Sequence, residues 1–348
     1  MLSHPSVPSS TRLGKILLGL VVSAGLLVYF FWDVDLRVVG ARLRDTLWGF
    51  LALSIALNFL SLWARARRWR YLFAPGARAG HLLRALLVGY MGNNLLPLRA
   101  GEIVRIYVAS RHGPRFWTTF ATVVVERVLD GLALGLLVAG VLLVVPLPGE
   151  LRWPILVFLG VDLLGILVLT LIAIAPGVCR TLIEACFHRL GWLERRLLRM
   201  LDTMIEGLGG LRAARHMVPL TLYSVGIWLF LALSIWTALH SAHLDLPLAA
   251  AWTVLAFLGL GVSLPSSPGF VGVIQAATVL ALALFAVPRT EALSFSLLLH
   301  ASQFFPITAA GLACLFLEHV RLTDAARVDV TQIAAADRGA GDGLGRGR

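Results

Sequence analysis

Glu126, Arg127 and Asp130 stand inside the apolar run VVVERVLDGLAL. Each ionisable side chain at the centre of a bilayer costs about 2.5 to 3.5 kcal/mol on insertion scales, so three unpaired groups would cost on the order of 8 to 10 kcal/mol. They require partners. Counted from Phe116, Glu126 and Asp130 lie about 15 and 21 Å along a helix rising about 1.5 Å per residue, a depth near mid-membrane. Four apart, the two carboxylates share a face, and Arg127, three before Asp130, is placed for a local pair that leaves Glu126 to meet another element. PLRAGEIVRIY offers one, because Arg99, Glu102 and Arg105 recur there at three-residue steps and form a stripe on one helix face. The chemistry open to such a set is recognition of an anion. Arg99 and Arg105 would grip a phosphate head group through paired N–H donors, and the carboxylates would keep them oriented. Ion pairs that only pin two helices together are the structural alternative, although intramembrane ionisable groups are more often functional.

Two further segments add polar candidates. In GYMGNNLLPL, Asn93 and Asn94 either turn the chain, since asparagine tolerates left-handed backbone, or contact the head group. In LPSSPGFVGVIQAA, the hydroxyl of Ser267 ahead of Pro268 is a helix-start signal. A helix that begins there, inside the membrane, aims unpaired N–H groups and a positive dipole end at whatever fills the cavity, which favours an anion. Ser266 and Ser267 line that break, and Gly269 and Gly272 leave room for close approach. His300 and Gln303, three apart, are better suited to hydrogen bonding between helices than to lining a cavity.

The elements that must position these groups follow from composition. With 58% hydrophobic and 14% charged residues among 348, and a mean hydropathy of +0.84, the chain lies far from the quarter or so of charged residues usual in soluble proteins. The expected fold is an all-α integral membrane protein, a polytopic helix bundle. Asking for about 20 apolar residues per crossing gives about six full spans, at 14–32, 46–64, 116–146, 153–175, 218–240 and 293–317. Two broken pieces accompany them. The run ALLVGYMGNNLLPL between Arg84 and Arg99 has 14 residues, about 21 Å of helix against an apolar core of about 30 Å. Its flanks are Arg-rich, so 81–98 is expected to dip in and return, with Gly92, Asn93, Asn94 and Pro97 making the turn. Residues 246–287, interrupted at Pro265 to Gly269, are either a second re-entrant hairpin or two short spans, and the hairpin is preferred. Residues 178–215 carry leucines at steps of three and four among arginines, an amphipathic pattern suited to the inner leaflet and broken at Gly191. The single transmembrane domain covers 1–320, and the Gly-rich 321–348 reads as a disordered tail.

Charge sets orientation and excludes several functions. Of the 30 Lys and Arg residues, 24 fall in 1–15, 65–115, 176–217 and 318–348, which by the positive-inside rule puts both termini in the cytoplasm. Trp63, Trp69, Tyr71, Trp117 and Trp192 suit the inner interface belt. The net charge of +11 lies between hydrophobic segments, not on a soluble face, so nucleic acid is not an expected partner. Cys179, Cys186 and Cys314 fit neither a disulfide framework nor a zinc spacing. With no Walker loop and no H-E-x-x-H, neither metal chemistry nor ATP hydrolysis is expected, and no cofactor. No polar stretch is long enough for a separate soluble catalytic domain.

Taken together, NNLLPLRAGEIVR, VVVERVLDGLAL and LPSSPGFVGVIQAA resemble the flippase-like family built on the transmembrane region of lysylphosphatidylglycerol synthase, the multiple peptide resistance factor group, over roughly residues 12–320. The resemblance implies a bacterial inner-membrane protein that moves anionic lipids or lipid-linked intermediates. It carries over Asn94, Pro97, Arg99, Gly101, Glu102, Arg105, Glu126, Arg127, Asp130, Pro268, Gly269 and Gly272. Many relatives have a second Gly after the SPG and a Glu shortly beyond, where this chain has Phe270 and Gln275. That takes away the carboxylate on which a proton-coupled role would rest, and leaves Gln275 as a neutral candidate at the same place. The aminoacyl-transferring soluble domain of full-length synthases is missing, so the expectation is a translocator and not an enzyme. The alternatives are a membrane-embedded lipid or polyprenyl-linked glycan transferase, or a non-catalytic partner of a glycosyltransferase docked through 178–215.

Overall fold

The computed structural model describes residues 40, 44–73, 76–96, 100–111, 116–145, 149, 152–207, 214–263 and 268–318. Among them the regular structure is entirely helical: α1 Trp48–Arg70, α2 Ala79–Leu95, α3 Gly101–Ser110, α4 Phe116–Val144, α5 Arg152–Ile174, α6 Pro176–Phe187, α7 Gly191–Gly207, α8 Ala214–Ser241, α9 Leu248–Ser263, a 3-10 turn Pro268–Phe270, α10 Val273–Ala283 and α11 Arg289–Leu317. By length and composition α1, α4, α8 and α11 are able to cross a membrane, and α9 and α10 are shorter apolar helices. The expected span 14–32 and tail 321–348 lie outside the described residues.

Burial on α1 shows why these helices associate. Its apolar Leu53, Leu60 and Trp63 are exposed, whereas Ser54, Asn58, Ser61, Arg65 and Arg68 are buried. In lipid the hydrophobic effect does not drive helix pairing, so contact faces use small and polar groups. α1 lies along α8 in that way, with the Ser54 and Ser234 hydroxyls 3.1 Å apart and the Ser234 hydroxyl donating to the Ser54 carbonyl at 2.8 Å.

Two antiparallel helical pairs, α2 with α3 and α9 with α10, both pack against α11. The first is backbone to backbone. A methyl group added at Gly101 would sit 2.0 Å from the Gly89 carbonyl oxygen, and one at Gly92 would sit 2.8 Å from the Gly101 Cα. Gly311 seats α11 on α2 with the same intimacy, 2.4 Å from such a methyl to the Met91 Cβ. At its far end the pair is tied to α11 by Glu318, whose Oε1 accepts from Arg84 Nε at 2.5 Å and whose carbonyl accepts from Arg111 at 3.3 Å. One buried core surrounds this pair, with Leu86, Met91 and Val104, and another surrounds α9 and α10, with Ala250, Leu282 and Leu293.

Several boundaries differ from expectation. The helix expected over 46–64 continues to Arg70, which moves four arginines from a loop onto a helix. α2 runs on to Leu95, so Gly92, Asn93 and Asn94 are its last turns and not the bend. Gly92 is needed where α3 crosses, not for backbone reversal. The SPG segment turns helical at Pro268, as the Ser267–Pro268 signal predicts, but only as a short 3-10 turn. Gly269, Phe270 and Gly272 all take positive φ, at 68°, 58° and 84°, and α10 begins only at Val273. The amphipathic region forms α6 and α7, broken just before Gly191 as expected, with α7 packed against α4 and α5.

Candidate functional site

Where α1, α3 and α4 meet, four guanidinium groups and three carboxylates gather. α4 supplies Glu126 and Asp130, both buried, and Arg127, whose side chain is 47% exposed. α1 supplies Arg65 and Arg68, and α3 supplies Glu102 and Arg105. Asp130 is held by both arginines of α1, through a direct contact to Arg65 and through Oδ1 to Arg68 Nη2 at 2.6 Å. Glu126 Oε1 lies 3.2 Å from Arg65, 3.3 Å from Arg105, 3.5 Å from Arg127 and 4.0 Å from Arg68. Glu102 joins the outer side, 3.0 Å from Arg105 Nε and 3.4 Å from Arg127 Nη2. Such a set avoids the penalty of isolated charge because every ion has an opposite charge within contact distance.

Packing fixes the cationic partners. A methyl at Gly89 would be 2.6 Å from Arg105 Cβ, so the glycine lets α3 press the Arg105 stem against α2 while its head reaches α4. The guanidinium carbon of Arg105 stands 5.0 Å from the centre of the Trp69 ring, a cation–π contact in a buried setting. Trp69 is itself oriented by its indole N–H, which donates to the Thr122 hydroxyl at 3.0 Å. Arg68 also donates to the Ser224 hydroxyl on α8 at 3.1 Å. Even so, Arg105 Nη2, Arg68 Nε and Glu126 Oε2 are buried with no hydrogen-bond partner among the described residues.

A second, neutral group of side chains lies where the two interrupted segments meet. Asn94 on α2 donates from Nδ2 to the Thr308 hydroxyl of α11 at 2.8 Å. A methyl at Gly269 would sit 2.9 Å from the Phe304 ring and 3.3 Å from the Asn94 carbonyl oxygen, so the Pro268–Phe270 turn rests against the end of α2. Asn93 Oδ1 is buried without a hydrogen-bond partner among the described residues. Gln275 accepts the Gly272 N–H at 2.8 Å and pairs through Nε2 with His300 Nδ1 at 3.1 Å. Gly89, beneath Arg105, is four residues before Asn93, about 6 Å of helix rise, so one helical pair carries both groups.

The structure therefore brings Glu102, Arg105, Glu126, Arg127 and Asp130 together, and separately gathers Asn93, Asn94, Gly269, Gly272 and Gln275. Arg99, Ser266, Ser267 and Pro97 lie outside the described residues. Three expectations are corrected. Asp130 pairs with Arg65 and Arg68, and Arg127 turns instead to Glu102 and Glu126. Gln275 caps the start of its own helix, so the Gly272 N–H is not offered to a ligand. Trp69 is fully buried and not part of an interface belt. Arg65 and Arg68 were missed because counting arginines assigned them to a cytoplasmic loop. The signal that finds them is the polar series Ser54, Asn58, Ser61, Arg65, Arg68, whose steps of four and three continue one helix face past the end of the hydropathy peak.

A helical membrane protein with a guanidinium–carboxylate network across three helices is the class these features define. The chain belongs to the lysylphosphatidylglycerol synthase TM region family, which matches residues 16–311. It is also 26% identical, over a 355-residue alignment, to a Haloferax volcanii protein named glycosyltransferase AglD, with 91% of this chain and 57% of that protein covered. This chain thus spans little more than half the length of that relative. No solved structure matches it. Family membership and the apolar helices make this a multi-pass membrane protein whose function concerns membrane lipid.

Proposed function

We propose that the chain translocates an anionic phospholipid or lipid-linked intermediate across the cytoplasmic membrane, by flipping or scrambling. The observation that carries this reading is the charge imbalance of the network. Among the described residues four guanidinium groups face three carboxylates and Arg105 Nη2 has no acceptor, and Arg127 is half exposed beside it. A surplus cation in a medium of low dielectric attracts an anion, and the guanidinium fork matches the oxygens of phosphate. Arg105 and Arg127 take the phosphate in this reading, joined by Arg99 from the same stripe, while Glu102 and Asp130 hold the arginines in place. The neutral group around Asn93, Asn94 and Gly269 borders the path of the polar head.

The topology that goes with it has about six full spans and two re-entrant hairpins, with both termini inside. Its support is length: α2 and α9 have 17 and 16 residues and α3 and α10 have 10 and 11, so none exceeds about 26 Å against an apolar core of about 30 Å. The chain acts as a translocator and not as an enzyme. Each carboxylate of the network is engaged by guanidinium groups, an arrangement suited to orienting charge.

The test is reconstitution of the purified protein in liposomes with a fluorescent phosphatidylglycerol and a membrane-impermeant quencher. The wild-type protein exchanges the lipid between leaflets, and Arg105→Gln slows exchange by about tenfold or more, the worth of one lost charge-assisted contact of about 1.5 to 3 kcal/mol. Wild-type protein that moves no lipid across a broad anionic panel would falsify the reading. A second reading, a membrane partner of a glycosyltransferase or a glycan transferase in its own right, draws on the name of the Haloferax relative and on the exposed Leu182 of α6, Leu190 of the turn and Trp192 and Met200 of α7. Product formation from polyprenyl-linked sugar, or loss of a bound transferase on deletion of 176–207, would favour it.

A further inference from the structure

Glu126 is held differently from the other two acids. All four of its guanidinium neighbours approach the same oxygen, Oε1, at 3.2 to 4.0 Å, and Oε2 is buried without a hydrogen-bond partner among the described residues. Asp130, by contrast, uses both oxygens, each in a close contact with one arginine of α1. The side chains of Glu126 and Arg105 are 0% and 2% exposed. Arg65 and Arg68 are anchored through Asp130, and Arg105 through Glu102 and the Trp69 ring. These anchors keep the guanidinium groups convergent whether or not Glu126 stands among them.

Resting on the anionic-lipid reading above, we propose that the Glu126 carboxylate is a resident anion that the phosphodiester of the lipid displaces. A cage of convergent N–H donors binds an oxyanion by geometry and charge, and both carboxylate and phosphate satisfy it. The phosphate takes the place of Oε1, and its further oxygen accepts from Arg105 Nη2, a donor without an acceptor among the described residues. Access is from the side of Arg127 and Glu102, whose side chains are 47% and 29% exposed. Exchange of one carboxylate for one phosphodiester leaves the charge of the cage unchanged. Glu126 returns to the cage as the lipid leaves, which keeps release fast. A transport site must bind well enough to be entered and weakly enough to be left.

Glu126→Gln keeps the shape and removes the competing charge. Full-length protein in phosphatidylcholine nanodiscs is titrated with dioctanoyl phosphatidylglycerol, and in parallel with inorganic phosphate and dioctanoyl phosphatidylcholine. The variant binds dioctanoyl phosphatidylglycerol about tenfold more tightly than wild type, about 1.4 kcal/mol, yet scrambles more slowly because release is retarded. Unchanged or weaker binding by a folded variant overturns the exchange, as does a gain for inorganic phosphate alone. A readout on the wild-type protein needs no variant: its difference infrared spectrum with and without the lipid shows a shifted carboxylate stretch as Glu126 leaves its arginines, and an unchanged carboxylate region overturns the proposal. Wild-type protein that binds no anionic lipid at all would remove the translocator reading itself, an outcome distinct from failure of the exchange.

Discussion

Asp130→Asn changes one atom type at the most tightly held carboxylate of the network. Asp130 receives Arg68 at 2.6 Å and a direct contact from Arg65, and all three residues are buried. The amide leaves two guanidinium groups facing a neutral partner and raises the surplus among the described groups from one positive charge to two. Breaking one side of a buried pair costs about 3 to 5 kcal/mol, because the stranded charge keeps its desolvation penalty. With an unfolding entropy of about 2.1 cal/mol/K per residue over 348 residues, that corresponds to a fall of about 4 to 7 °C in Tm. Thermal unfolding in one detergent, followed by tryptophan fluorescence, measures it. Adding Arg65→Met returns the surplus to one and restores part of the loss, with a coupling of about 0.5 to 3 kcal/mol for residues in contact. A Tm within about 1 °C of wild type for Asp130→Asn, or strictly additive losses in the double variant, refutes the view that these pairs hold α1 to α4.

Two further outcomes bear on how the site is held. Gly101→Ala places a methyl 2.0 Å from the Gly89 carbonyl oxygen and 2.4 Å from the Asn93 nitrogen, so it costs at least the roughly 1 to 3 kcal/mol of ordinary overpacking. Gly140→Ala, with nothing within 4 Å, leaves Tm unchanged in the same scan, and equal Tm values for the two would contradict the backbone contact of α2 with α3. Trp69→Phe keeps an aromatic face under Arg105 but loses the N–H to Thr122, whereas Trp69→Leu also loses a cation–π contact worth about 2 kcal/mol when desolvated. Lipid exchange therefore falls more in Trp69→Leu than in Trp69→Phe at matched stability, and the opposite order counts against Trp69 as the platform that positions Arg105.

Some of this was legible along the chain. Residues 116–146, 153–175 and 293–317 are expected to be helical, and α4, α5 and α11 cover them to within a few residues, because long, predominantly apolar runs have no other low-energy state in a membrane. That Glu126 and Asp130 need partners, Arg105 among them, follows from the cost of an unpaired ion in lipid, which is large enough to read from sequence alone. The partners on α1 were not. Arg65 and Arg68 sit in ARARRWR, which has the composition of a cytoplasmic loop, and only the continuation of the helix turns two of its arginines inward and leaves Arg67 to stack near Trp63, 5.5 Å from the ring centre. The same holds for Gly92, which local pattern reads as a bend and whose position is decided by the crossing of α3.

The amino-acid sequence by itself determined that this is a helical membrane protein, where apolar helices run, and that charge inside it must be neutralised. Each of those follows from one-dimensional quantities, run length, period and the transfer cost of single side chains. Which arginine meets which carboxylate was decided only by the tertiary structure. The pairs join residues as far apart as Arg84 and Glu318, and their geometry depends on how closely glycine and serine allow helices to approach, a property of surfaces in contact and not of either sequence segment alone.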